Sequence, residues 1–129
     1  MLISSKVSKG INGTIKIPGD KSISHRSIII PSISKGFAEI SNILLSDDVI
    51  HTINAFKSMG VKIEQNKDKI AIEGNGLNSL KKPDQNIYLG NSGTSARLLI
   101  GLLASQKFDS VLTGDSSLSS RPMERIVNP

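Results

Sequence analysis

Apolar and polar positions repeat along the chain with two different periods, and the switches between them mark its elements. Thr14-Ile15-Lys16-Ile17 alternates as a strand and stops at Pro18-Gly19. Ahead of it, residues 1–13 hold short apolar pieces broken by Ser, Lys and Gly, a thin pattern for one more strand. A helix is expected from about Ser22, with Ile29, Ile30 and Ile33 on its inner side. Pro31 has no backbone donor and is expected to kink or end that helix. Phe37-Ala38-Glu39-Ile40 is the next strand. Ser46 then caps a second helix, with Asp47 and Asp48 as a negative first turn and Val49, Ile50, Ile53 and Phe56 facing inward. Gly60 ends it. Residues 61–64 and 69–73 alternate around Asn66-Lys67-Asp68, which predicts a hairpin. The order so far is β-α-β-α-β-β.

After a connector from Gly74 to Pro83, Ile87-Tyr88-Leu89 reads as a strand and Gly90 to Ser95 as a tight polar turn. Residues 96–105 are apolar on most sides, so a helix there is expected to be buried. A strand over 108–113 and a polar loop over 114–120 follow, and Arg121-Pro122-Met123-Glu124 reads as a helix start with Pro at its first position. Sliding the chain by 71 positions brings Gly19 onto Gly90, Ser24 onto Ser95, Arg26 onto Arg97, Ile29 onto Ile100, Ser34 onto Ser105 and Phe37 onto Phe108. The element order matches as well, so we read a repeated β-α-β-α-β-β unit. Its second copy stops in a helix of about two turns, too short to be stable without packing, and lacks the closing hairpin. The expectation is a piece of something longer.

Composition narrows the function. The 129 residues suit one domain with a real core, and the absence of cysteine excludes disulfides, thiolate metal sites and a cysteine nucleophile. The longest apolar run, 98–104, is far shorter than the roughly 20 residues of a membrane span, and the start lacks a signal-peptide pattern. A soluble, cytoplasmic protein is expected. The net charge of +5 first points to nucleic acid, but aromatics for stacking are nearly absent and no basic run exists. Twelve lysines are scattered, whereas Arg26, Arg97, Arg121 and Arg125 all lie in Gly/Ser-rich segments leading into helices. That placement suits a small anion.

The strongest single stretch is Pro18-Gly19-Asp20-Lys21-Ser22-Ile23-Ser24-His25-Arg26, a turn that feeds a helix. Ser22 and Arg26 share one helix face, as do Lys21 and His25. A helix start favours anions through its unpaired N–H groups and its dipole, and the cations and hydroxyls strengthen that preference. Taken alone, a capped helix with a solvated basic face explains the stretch better. A P-loop is discounted because Asp20 stands where glycine must precede Lys-Ser, and no dinucleotide fingerprint is present. His25 and His51 lack partners at metal-ligand spacing, and a helix cap accounts for Asp47 and Asp48.

In combination the motifs say more. The first stretch, then Leu89-Gly90-Asn91-Ser92-Gly93-Thr94-Ser95-Ala96-Arg97, then Gly114-Asp115 with Ser120-Arg121-Pro122-Met123, resemble the N-terminal part of the 3-phosphoshikimate 1-carboxyvinyltransferase (EPSP synthase) family. The resemblance covers nearly the whole chain, in order and in spacing. The related UDP-N-acetylglucosamine carboxyvinyltransferase is a weaker match. The resemblance implies an α/β fold of repeated βαβαββ units, the inside-out α/β barrel of the enolpyruvyl transferases, here incomplete. Residues 1–20 would be a leading segment packed on the other globular half, and 21–129 a partial substrate-binding half. It also implies transfer of a carboxyvinyl group from phosphoenolpyruvate to the 5-hydroxyl of shikimate 3-phosphate, with no metal or cofactor, in a monomer that is a glyphosate target. Lys21, Ser22 and Arg26 would hold shikimate 3-phosphate. Lys21, Asn91, Gly93 and Arg121 would hold phosphoenolpyruvate, with Lys21 catalytic, Gly93 leaving room for ligand or glyphosate, and Arg97 holding its loop. The family's C-terminal Asp and Glu for proton transfer are not in this chain, so by itself it is expected to be inactive. The alternative is a stand-alone anion-binding or interaction module.

Overall fold

A computed structural model describes residues 3–7, 10–66 and 69–128. Helix α1 (Lys21–Ile33) leads to strand β1 (Lys35–Ser41), helix α2 (Asp47–Ser58) and the hairpin β2 (Lys62–Asn66) and β3 (Lys69–Asn75). A 3-10 turn at Leu77–Ser79 follows. The second part holds β4 (Ile87–Tyr88), α3 (Gly93–Leu103), β5 (Leu112–Thr113) and the short helices α4 (Ser116–Ser119) and α5 (Glu124–Val127).

The first sheet is antiparallel with order β1-β3-β2, and Ile72 of β3 lies opposite both Ala38 and Ile63. Alternation puts Ile63, Ile70 and Ile72 on the face covered by α1 and α2, where they meet Ile28, Val49, Ile53 and Phe56. The second sheet is the parallel pair β4 and β5, joined through α3 as a βαβ crossover. Leu89, Ala96, Leu99 and Leu103 continue the same core. The hairpin closes from Asn66 to Lys69 as expected; its turn residues Lys67 and Asp68 lie outside the described residues.

Several expectations change. Thr14 to Ile17 forms no strand, and neither do the described residues before it; Ile15 and Ile17 are exposed. No neighbouring strand among the described residues takes up their backbone groups, and alternation alone does not hold a strand. On α1 the buried face is Ser24, His25, Ile28 and Ser32, while Ile30 faces solvent and Ile29 and Ile33 are half-buried. Serine can turn inward there because its hydroxyl returns to its own helix: Ser32 Oγ donates to the Ile28 carbonyl at 2.7 Å. Pro31 stands in the last turn, and the helix stops two residues later, at Ile33. On α2 Thr52 is buried where Ile50 was expected. The strand expected over 108–113 shrinks to Leu112 and Thr113, α3 begins earlier at Gly93, and α4 forms inside the expected loop. Pro122 precedes the Met123 cap of α5 rather than filling its first helical position.

The repeat survives at its loops. Gly19 packs so tightly that a Cβ would sit 2.4 Å from the Asn42 carbonyl oxygen and 2.9 Å from the Leu44 amide. At the matching place Asp115 N donates to the Gly90 carbonyl at 2.9 Å.

Candidate anion-binding site

Three helix starts meet at one end of the fold. Asp20 caps α1, its Oδ1 accepting from Ile23 N at 2.7 Å, so its charge is turned to the helix. Lys21 follows as the first helical residue and pairs with Asp48 in the first turn of α2. The Asp48 carbonyl in turn accepts from Ser95 Oγ, at 3.4 Å, in the first turn of α3. Ser92 caps α3, accepting from Ser95 N at 3.2 Å. The positive ends of α1, α2 and α3 are thereby gathered around Lys21 and Asp48.

Beneath them runs a buried polar chain. His25 Nδ1 lies 2.9 Å from Thr52 Oγ1, Thr52 Oγ1 lies 2.8 Å from Ser95 Oγ, and Ser95 Oγ lies 2.6 Å from Ser92 Oγ. Thr52 Oγ1 also donates to the Asp48 carbonyl at 3.2 Å. Burial holds the His25 imidazole below its ordinary value of 6.5; the Asp48 carboxylate opposes that shift and the Lys21 ammonium adds to it. The unfolded chain therefore takes up this proton at a higher pH than the folded one. Stability is full above about 6.5 and is lost as pH falls from there through the lowered folded value. Urea titrations between pH 5 and 7 are expected to show this slope, at most about 1.4 kcal/mol per pH unit for one proton, and His25→Asn should flatten it. A variant with the same slope as the parent would exclude His25 as its source.

The second loop shapes the wall beside Lys21. Gly90 has φ +55°, and a Cβ there would lie 2.4 Å from His51 Nε2, so the backbone conformation and the space both require glycine. Asn91 is exposed, Ser92 and Gly93 are buried. Asp115 caps α4 by accepting from Leu118 N at 2.8 Å, and the chain then delivers Arg121 across α3. A Cβ on Gly93 would sit 2.6 Å from Arg121 Nη1, so the guanidinium lies directly over this glycine. Arg121 also lines a cavity of about 190 Å³ with Leu89, Ala96, Leu118 and Met123.

Of the residues expected at the site, the structure joins Gly93 to Arg121, and brings Lys21 to Asp48 at the α2 start, which is itself bonded to Ser95 of α3. Ser22 and Arg26 share the exposed face of α1, and with Asn91 their side chains make no hydrogen bond or ion pair among the described residues. Arg97 is likewise exposed. Two features escaped the sequence reading: Asp48 as the partner of Lys21, and the His25–Thr52–Ser95 chain. The coincidence of Ser24 and Ser95 in the repeat was the one available signal, since both are buried and both hydrogen-bond across elements.

Cations and hydroxyls at converging helix starts of an α/β unit make an arrangement suited to small polyanions. The chain matches the family described as EPSP synthase (3-phosphoshikimate 1-carboxyvinyltransferase) over residues 6–129, and it belongs to that family. It is 56% identical over 124 residues to the 3-phosphoshikimate 1-carboxyvinyltransferase of Ruthia magnifica subsp. Calyptogena magnifica, covering 96% of this chain and 28% of that protein. With the enzyme of the same description from Oceanobacillus iheyensis it shares 52% over 123 residues, 95% of this chain and 29% of the relative. The solved EPSP synthase from Acinetobacter baumannii superposes with TM-score 0.86 at 52% identity, covering 89% of this chain and 26% of that one. The expected fold class stands: mixed α/β, as an incomplete portion of the enolpyruvyl-transferase fold. The chain thus spans somewhat more than a quarter of the length of these relatives. No helix among the described residues is long and apolar enough to cross a membrane.

Proposed function

We propose that this chain supplies one wall of a site where a carboxyvinyl group passes from phosphoenolpyruvate to the 5-hydroxyl of shikimate 3-phosphate. The observation that carries the reading is the pairing of Lys21 with Asp48 at the start of α2, whose carbonyl is bonded by Ser95 at the start of α3, next to the loop where Arg121 lies over Gly93. Both substrates are polyanions, and they need fixed positive groups on more than one side. Lys21, Ser22 and Arg26 line the shikimate 3-phosphate side, and Asn91, Gly93 and Arg121 the phosphoenolpyruvate side, with Lys21 reaching both. Phosphate leaves from a tetrahedral adduct, and charge shifts toward the leaving group. Positive groups that are already in place stabilise that shift without reorganising. Groups for proton transfer come from another part of a longer protein, so the 129 residues alone do not turn over.

Residues 1–20 fit the same picture. Ile3, Val7, Ile11, Ile15 and Ile17 are 65–103% exposed, an apolar series that a second globular half would cover. The test is a chimera in which this chain replaces the matching segment of the Oceanobacillus iheyensis relative. Phosphate release from the two substrates is expected from the chimera, and none from the 129-residue chain alone. A folded chimera without phosphate release would overturn the assignment, and turnover by the short chain would overturn its incompleteness. Excess glyphosate is expected to inhibit the chimera, because Gly93 leaves space beside Arg121.

A further inference from the structure

We infer that Asp48 is a positioning residue that sets the direction and reach of the Lys21 ammonium; this rests on the reading above, in which Lys21 meets the anionic substrates. An acidic residue in the first turn of a helix needs no explanation beyond the helix dipole, and Asp47 already fills that role from an exposed position. Asp48 differs in three ways. Its carboxylate pairs with Lys21, 27 residues earlier in the chain and on another helix. Its side chain is 15% exposed against 49% for Lys21, so the acid is the anchor and the lysine the part that emerges. Its backbone is fixed from two sides, the carbonyl accepting from Thr52 Oγ1 on α2 and from Ser95 Oγ on α3.

A lysine stem has four rotatable carbons and loses rotamer freedom when its ammonium is held, a cost that recurs each time a ligand binds unless the protein has met it in advance. Asp48 meets it in advance. The same carboxylate offsets the ammonium's charge, and so weakens the plain attraction of an anion. The two effects separate in kinetics. Without the acid, anions still bind, and bind at least as tightly, but the ammonium is no longer aimed at the reacting centre. A misplacement of about 1 Å can cost roughly 10²-fold in rate.

The experiment uses the chimera, with Lys21→Met, Asp48→Asn and Asp48→Glu assayed for kcat and for KM of each substrate. Asp48→Asn is expected to lower kcat about 10²-fold with KM for phosphoenolpyruvate unchanged or lower. Asp48→Glu keeps the charge but moves it by one methylene, and should lower kcat about tenfold, again without raising KM. Lys21→Met should abolish turnover. Parent-like kcat in either Asp48 variant, or a rise in KM alone, overturns the proposal while leaving the reading of the site intact. Retained turnover in Lys21→Met overturns that reading instead. If Asp48→Asn does not fold, as judged by thermal melting, the Asp48→Glu result decides.

Discussion

Gly74→Ala is expected to destabilise the chain by about 3 kcal/mol, lowering the melting temperature by roughly 10 °C. Gly74 lies in β3 opposite Gly36, where the strand runs against the end of α1. A Cβ at this position would sit 2.0 Å from the Pro31 carbonyl oxygen and 2.4 Å from that of Ser34. Both atoms belong to the backbone, so neither can rotate away; the helix end has to move off the sheet. Moving it strains the Gly76 N donation to the Ser34 carbonyl at 2.9 Å and loosens Ile28 over Ile70 and Ile72. Thermal melts of the parent and variant measure the effect, and equal melting temperatures would refute the packing argument.

Gly93→Ala poses the opposite case. Its Cβ would be 2.6 Å from Arg121 Nη1, closer than van der Waals contact allows, yet the obstacle is the tip of an exposed and flexible side chain. The fold should keep its melting temperature because the guanidinium swings aside. The site should not keep its function. An arginine displaced from an anionic ligand forfeits a charge-assisted hydrogen bond, about 1.5–3 kcal/mol, which is roughly 10- to 150-fold in affinity. In the chimera this should appear as a raised KM for phosphoenolpyruvate with KM for shikimate 3-phosphate little changed. An equal rise for both substrates would place Arg121 outside the phosphoenolpyruvate side. The two glycines thus carry similar steric violations with different consequences, decided by what the new methyl group meets.

The parts of this fold legible in the sequence are those set by local rules. Helix α2 announces itself through the two aspartates, the spacing of Val49, Ile53 and Phe56, and Gly60, which adopts φ +87°; Ser46 stands at the N-cap position as expected, but its hydroxyl makes no cap bond among the described residues. The β2–β3 hairpin is as clear, since one face is buried and its register cannot slip. Reading failed where burial is polar. Ser24, His25, Ser32 and Thr52 occupy inner positions that a hydrophobicity pattern gives to Ile30 and Ile50, because their hydroxyls and the His25 Nδ1 find partners inside the protein. It failed again at 14–17, where alternation was present and, among the described residues, a pairing strand was not. The loops of the candidate site were recognised as a set of motifs, and Gly93 over Arg121 accords with that. The Lys21–Asp48 pair was out of reach: nothing local links the two residues, and a helix cap was a sufficient account of Asp48.

The buried chain beneath the helix starts has a direction. Each hydroxyl owns one proton, and the Asp48 carbonyl can only accept. Thr52 Oγ1 and Ser95 Oγ both lie within donating reach of that carbonyl and of each other, so one of them donates to it and the other donates along the Thr52–Ser95 contact, while Ser92 donates to Ser95. Spending the single Thr52 proton on either contact leaves Nδ1–H as the donor to Thr52, and makes the buried Nε2, which has no partner among the described residues, a bare lone pair rather than a stranded donor. Three hydroxyls from two helices and one imidazole from a third thus converge on the Asp48 carbonyl. The mutual angle of α1, α2 and α3 is held by this shared set of buried polar contacts, as well as by the fit of apolar side chains.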